Sequence, residues 1–239
     1  MEKKLVLTTG PSYHQKEVHE MIEDYFGWNY VYVEHDNQKN IDEWIDRCDL
    51  YMGAGGADVF PALYGSPIKK DENMDCFDRQ RDLREIYIIK KFIKAGKPIT
   101  GICRNLQLYC SLFLKLELVD LLGYKSANVC HHPSKFKVKL KDDEDQFCHQ
   151  IELNTGKKMW VNSHHTMGIL VPKDKSGELL DGVEIRATGD LGEEGVPKII
   201  EWVKDSSTNV NMVQFHPELM YKTNEASQMF LEEIKKMVE

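Results

Sequence analysis

Along the first half of the chain, short apolar runs alternate with stretches whose apolar residues recur every three or four positions. That alternation leaves few folds open. Leu5 to Thr9, Asn29 to Glu34 and Asp49 to Met52 read as strands. Between them, residues 14–26 place Val18, Met21, Ile22, Tyr25 and Phe26 at helical spacing, and Ile41 to Arg47 reads as a shorter helix. Strand and helix in turn are the signature of a parallel sheet covered on both faces. Asp78 to Ala95 extends the pattern with a strong helix that Gly96 and Pro98 bring to a stop.

The second half is more strand-like. Lys135 to Leu140 alternates charged and apolar residues with period two, so one face of that strand should be solvated. Met159 to Val161, Val183 to Ala187, Lys198 to Val203 and Val210 to Phe215 are further strand candidates, ahead of a C-terminal helix from Glu225 to Val238. Phe60 to Phe77 is too rich in Pro, Gly and charge to be regular, and residues 117–134 carry no clear pattern. With 239 residues and neither an internal repeat nor a low-complexity linker, one α/β domain over residues 1–239 is expected.

The formal net charge of −8 argues against a nucleic-acid surface, which would be basic. No apolar run approaches the ~20 residues needed to span a bilayer, so no membrane association is expected. Met1 leads almost at once into the first strand with no signal-peptide pattern, which points to a cytoplasmic location. The six cysteines at 48, 76, 103, 110, 130 and 148 form no Cys-x-x-Cys pair and read as reduced thiols.

Four stretches could carry chemistry. In the first, the strand Lys97 to Ile102 runs into a tight turn at Cys103, and a helix is expected from Leu106 to about Leu116. Such a turn pushes one side chain out of the end of a sheet, with the next helix aiming its N–H groups at it. Cys103 is therefore either a nucleophile or a buried small hydrophobe. In the second, His216 and Glu218 flank Pro217 at the end of an apolar strand. The carboxylate can bond one ring nitrogen and leave the other as a base for a thiol, or His216 can be a histidine with no such partner.

The third stretch, Gly53 to Asp58, lacks the third glycine of a dinucleotide fingerprint and no helix opens after it. A glycine turn at the carboxyl edge of a sheet can stabilise an oxyanion, or it can be a plain tight turn. In the fourth, Trp160 to Gly168, His164 and His165 are adjacent, as are His131 and His132 after Cys130. Neighbouring residues point apart, and zinc ligands prefer spacings of two to five residues, so no metal is expected there. No cofactor is expected either.

Taken in order, these stretches resemble the class I glutamine amidotransferase-like superfamily, and within it the γ-glutamyl peptide and amine hydrolases of the peptidase C26 type. The resemblance runs through Gly55 to Gly65, Asp78 to Asp82, Gly96 to Gln107, Val161 to His165 and Val213 to Glu218. It implies a flavodoxin-like three-layer α/β sandwich, its central sheet mostly parallel with added antiparallel strands in the C-terminal half. Cys103 would be the nucleophile, His216 the base and later the acid, and Glu218 the group orienting the imidazole. The N–H groups of Gly56 and Arg104 would form the oxyanion hole. Gln107, Asn162, Ser163, His164 and His165 would surround a small γ-glutamyl substrate.

Three departures stand out. Asn105 occupies the second glycine position of the usual Gly-x-Cys-x-Gly elbow. Of the usual Asn-Ser-x-His-His-Gln, Asn162 and Ser163 are kept but only the first of the two histidines, at His165, with Thr166 and Met167 where His and Gln are usual. The segment after the elbow helix lacks the usual glycine-rich run. The leading expectation is a hydrolase of γ-glutamyl amides. The alternatives are a glutaminase that passes ammonia to a separate synthetase, and an inactive binding module on the same fold. Dimers are common among similar enzymes, which leaves the oligomeric state open.

Overall fold

The computed structural model describes residues 3–10, 14–34, 38–68, 74, 77–121, 148–172, 180–191 and 197–239. Strands β1 (Leu5–Thr9), β2 (Asn29–Tyr32), β3 (Leu50–Gly53) and β4 (Ile99–Ile102) are joined in parallel. Helix α1 (Gln15–Met21) runs into a π-turn over Ile22–Phe26 between β1 and β2, and α2 (Gln38–Arg47) links β2 to β3. Helix α3 (Arg79–Ala95) then leads to β4, and α4 (Arg104–Leu112) follows it directly. The expected alternation is present.

One nine-stranded sheet holds most of the described chain, in the order β2, β1, β3, β4, β11, β10, β9, β6, β7. Its later members are β6 (Cys148–Leu153), β7 (Lys158–Asn162), β9 (Val183–Gly189), β10 (Ile199–Asp205) and β11 (Val210–Val213). Strand β11 is parallel to β4 and antiparallel to β10, and the sheet stays antiparallel from there to β7. A two-stranded sheet pairs β5 (Leu118–Asp120) with β8 (Met167–Ile169). The fold is therefore α/β, with a parallel sheet extended by antiparallel strands from the C-terminal half.

The layers follow from the apolar faces. Val18, Met21 and Ile22 share one core with Phe230, Leu231 and Ile234 of α5 (Glu225–Val238). Ile41, Ile45, Ile88, Phe92 and Leu106 fill the core on the other face, beneath α2, α3 and α4. Caps set the helix ends: the Asp78 carboxylate accepts the Arg81 N–H at 2.9 Å, and Gly96 closes α3 in the left-handed conformation.

Two expectations need correction. The helix after the elbow starts at Arg104, not Leu106, and ends at Leu112. Its first turn is polar yet fully buried, so no apolar period announced it. Strand β6 and the β5–β8 pair were not anticipated. The expected strand at Lys135 to Leu140, Cys76, Cys130, His131 and His132 lie outside the described residues.

Candidate active site

Cys103 sits between β4 and α4 with φ 54° and ψ −106°, a conformation that residues other than glycine rarely adopt. Two bonds hold it there: its N–H donates to the Val213 carbonyl at 2.7 Å, and its carbonyl accepts the Gln107 N–H at 3.2 Å. A strained backbone fixed from both sides keeps the thiol at the carboxyl edge of the parallel strands, where α/β sites gather. The Gln214 side-chain amide donates to Cys103 Sγ at 3.4 Å.

His216 is brought to the same place by β11, which neighbours β4. The Glu218 carboxylate lies 2.7 Å from its Nδ1. Asn162 at the end of β7 clamps the backbone, accepting the His216 N–H at 2.8 Å and donating to its carbonyl at 2.9 Å. A methyl group on Gly55 would stand 2.9 Å from His216 Cε1 and 3.4 Å from Cys103 Cβ, so both side chains pack against the glycine turn. Burial alone would lower the His216 pKa. The Glu218 carboxylate and Cys103 outweigh it and push it up to about 10. The Cys103 thiol lies close enough to His216 that its charge and a side-chain hydrogen bond both help to raise the imidazole pKa.

Behind the elbow lies a buried network of opposite charges. Arg104 forms ion pairs with both Asp82 and Glu85 of α3, and Arg81 Nε bonds Glu85 at 2.7 Å. Arg81 also donates to the carbonyls of Ala54 at 2.8 Å and Gly55 at 2.9 Å. The Phe60 N–H donates to Asp82 at 3.1 Å. Burial raises the carboxyl of Glu85, but Arg104 and Arg81 reverse this and hold it below its usual range. The network thus joins α3, the glycine turn and the first residue of α4 into one unit.

Asn105 belongs to that unit. Its amide donates to Glu85 at 3.0 Å and to the Tyr51 hydroxyl at 3.3 Å. Room for it comes from two glycines: a methyl on Gly53 would overlap the Asn105 amide, and one on Gly101 would meet Asn105 Cβ at 2.8 Å. The residue absent from the usual elbow is accommodated by β3 and β4.

The other expected site residues separate into two groups. Gln107 donates to the Met167 carbonyl at 3.0 Å and to Gln214 Oε1 at 3.1 Å. His164 lies beside His216, with ring centroids 5.4 Å apart. Burial lowers the His164 pKa to about 4, with His216 and His14 adding to the effect, so its ring is neutral at pH 7. His165 is buried away from that pair, its ring 6.2 Å from His149 and its Nδ1 2.8 Å from the Met167 carbonyl. Gly56 has φ 137°, open only to glycine, and Arg104 is the first residue of α4.

Several residues escaped the sequence reading. His14 completes a triangle of rings, 5.3 Å from His216 and 5.6 Å from His164. Its position after β1, at the same edge as Cys103, was the available signal. Asp82 and Glu85, one helical turn apart before the elbow, were given no role of their own by the sequence reading. A cavity of about 480 Å3 adjoins the triangle, lined by His14, Glu17, His164, Glu218, Tyr221 and Lys222 among others.

The sequence profile of Peptidase C26 matches residues 1–218. The chain is a member of that family. Among curated relatives, the glutamine amidotransferase-like protein YvdE of Lactococcus lactis is 28% identical over 213 residues, covering 89% of this chain and 83% of that protein. Protein NtpR of Enterococcus hirae is also 28% identical, over 197 residues that cover 80% of this chain and 75% of NtpR. Among solved structures, a glutamine amidotransferase from Thermotoga maritima superposes with a TM-score of 0.57 at 14% identity, over 100% of both chains. The glutaminase domain of Trypanosoma brucei CTPS, solved with acivicin, gives a TM-score of 0.55 at 12% identity, over 98% of this chain and 94% of that one. These two likenesses show a glutamine amidotransferase fold. Membership of the Peptidase C26 family makes amide hydrolysis the activity class.

Proposed function

We propose that the protein hydrolyses the γ-glutamyl amide bond of a small γ-glutamyl amine or peptide through a thioester on Cys103. The observation that carries this reading is the strained Cys103 elbow packed, across Gly55, against a His216 that Glu218 holds at 2.7 Å. The sulfur attacks the γ-carbonyl, and the oxyanion is received by the N–H groups of Gly56 and Arg104. Protonated His216 gives its proton to the departing amine as the C–N bond breaks. Water then attacks the thioester, His216 takes its proton, and the C–S bond breaks to release glutamate and regenerate Cys103.

Gln107 is nearly fully buried and its Oε1 has no hydrogen-bond partner, which suits it to accept an α-ammonium group. The backbone of Asn162 to His164 would hold the α-carboxylate end. The cavity beside His216 and Glu218 offers room for a leaving group larger than ammonia, which favours the free-standing hydrolase over a glutaminase subunit.

Replacing Cys103 with Ala is expected to abolish turnover of γ-glutamyl p-nitroanilide, and an electrophilic glutamine analogue is expected to label Cys103 alone. Hydrolysis undiminished in Cys103→Ala, or labelling at another cysteine, would sink the assignment. A panel of γ-glutamyl amines and peptides read by mass spectrometry identifies the leaving group. Activity on free glutamine alone, appearing only when a second protein is added, would move the protein to the glutaminase class.

A further inference from the structure

Away from the thiol, the antiparallel half of the sheet gathers a second set of titratable groups that the proposed reaction does not use. His149 lies on β6, Glu201 on β10 and His165 just beyond β7. All three are buried, and one ligand atom from each lies within 4.8 Å of the others. His149 Nε2 is 2.8 Å from Glu201 Oε1.

The backbone makes a place for this carboxylate. Ile200 and Trp202 of β10 pair with the adjacent residues Thr188 and Ala187 of β9, so Glu201 is the extra residue of a β-bulge. A bulge re-aims a side chain relative to the ladder around it. Gly189 on the intervening strand leaves the path open, since a methyl there would meet Glu201 Oε1 at 2.8 Å. Gly189 pairs with Ile151, two residues along β6 from His149, so the bare position lies between the two side chains.

Among the described residues, no lysine or arginine is paired with Glu201. Its surface exposure is 0%, its Oε1 lies 2.8 Å from an imidazole, and among the described residues Oε2 has no hydrogen-bond partner. A buried carboxylate with an orphaned oxygen calls for an ion or a proton. His165 carries the orienting bond common in metal-binding histidines: Nδ1 lies 2.8 Å from the Met167 carbonyl, which fixes the ring.

We propose that His149, His165 and Glu201 form a binding site for one divalent transition-metal ion of the zinc class. Two imidazole nitrogens and a carboxylate oxygen are a recognised donor set for such ions, with one coordination position left over. The ion would tie β6 and β10 to the segment that carries Met167, whose carbonyl also holds Gln107. Its role would be to brace the substrate wall, and no step of hydrolysis passes through it. None of this depends on the γ-glutamyl assignment.

The full-length protein, purified without chelators and titrated with Zn2+ against a chromophoric chelator, is expected to take up one ion per chain. Glu201→Gln and His149→Gln should each weaken that uptake at least about 100-fold, while Cys103→Ala leaves it unchanged. Co2+ in the wild-type protein should show the visible bands of a tetrahedral nitrogen and oxygen site without a thiolate charge-transfer band. Circular dichroism checks that the variants fold; if they do not, the wild-type Co2+ spectrum decides alone. Uptake that survives Glu201→Gln, uptake lost in Cys103→Ala, a thiolate band, or no binding at millimolar metal would each overturn the site.

Discussion

Glu85 and Glu201 are both fully buried, one beneath the Cys103 elbow and the other on the antiparallel strands, yet their environments drive them in opposite directions. Burial raises both carboxyls. At Glu85, Arg104 and Arg81 overcome it and the group stays ionised. At Glu201, among the described residues, His165 alone works against burial, and the carboxyl is pushed up to about 7. A buried acid is thus defined less by its depth than by whether a guanidinium or an imidazole faces it. The first site is a locked charge network that shapes the elbow. The second has unbalanced charge, which is why it can exchange a proton and is proposed to take a metal.

The strongest break of this contrast is Glu85→Ala. Removing one member of a buried charge network strands the others, so a loss of about 3–5 kcal/mol is expected, read as a lower urea midpoint at unchanged slope. A change under 1 kcal/mol would mean that Arg104 and Arg81 find other partners and that the network does not brace the elbow.

Asn105→Gly restores the usual elbow sequence but should destabilise this protein by about 2–4 kcal/mol, through the lost bond to an ionised Glu85 and a glycine placed inside a helix. Gly53→Ala should be severe alone and much milder in the Asn105→Gly background, because the methyl then enters vacated space. A double-mutant cycle is expected to give about 1–3 kcal/mol of coupling; strict additivity would show that Gly53 and Asn105 are not a matched pair.

The acid–base side is tested by pH. His216 has its folded pKa raised from 6.5 to about 10. Its protonated form therefore stabilises the fold at all pH below 6.5, and this contribution is lost as pH rises through about 10. Activity that depends on the protonated imidazole should fall over the same alkaline range in a kcat/KM profile. Glu218→Gln removes the carboxylate that outweighs burial, so the alkaline limb should move down by about 1–3 pH units. An unmoved limb would assign that titration to another group.

The smallest effect is expected at Glu201→Gln, about 0.5–1.5 kcal/mol in metal-free protein at neutral pH, since the amide keeps the shape and one hydrogen bond is weakened. Its sign depends on pH. Glu201 holds its proton in the folded state up to about 7 but releases it near 4.5 when unfolded, so wild type loses stability relative to the variant across that window. Denaturant melts at the two ends of the window check it; parallel curves would place Glu201 among ordinary carboxylates.

Much of the parallel half and the core of the site was legible along the chain, because the relevant residues are close in sequence. A strand, a turn and a helix in succession place Cys103, and His216 meets Glu218 two residues on. The missing pieces are held by contacts between distant segments. His14 reaches His216 from the far end of the chain, Asn162 clamps His216 across 54 residues, and Gln214 reaches Cys103 across 111. The start of α4 was misplaced because Arg104 and Asn105 are polar residues buried by their partners, and a buried polar turn has no hydrophobic period to read.

The sequence by itself determined the order of strands and helices in the first half, the glycine turn and the two motifs that supply thiol and imidazole. These rest on local propensity and short-range spacing. Only the tertiary structure decided what Asn105 costs and what His165 does. Asn105 fits because Gly53 and Gly101, on two neighbouring strands, leave its side chain the space. His165 lies beside His149 and Glu201, the last placed there by a bulge on β10, and not beside His216 with His164. Steric room and the balance of buried charge are properties of the assembled sheet, and no single stretch of the chain carries them.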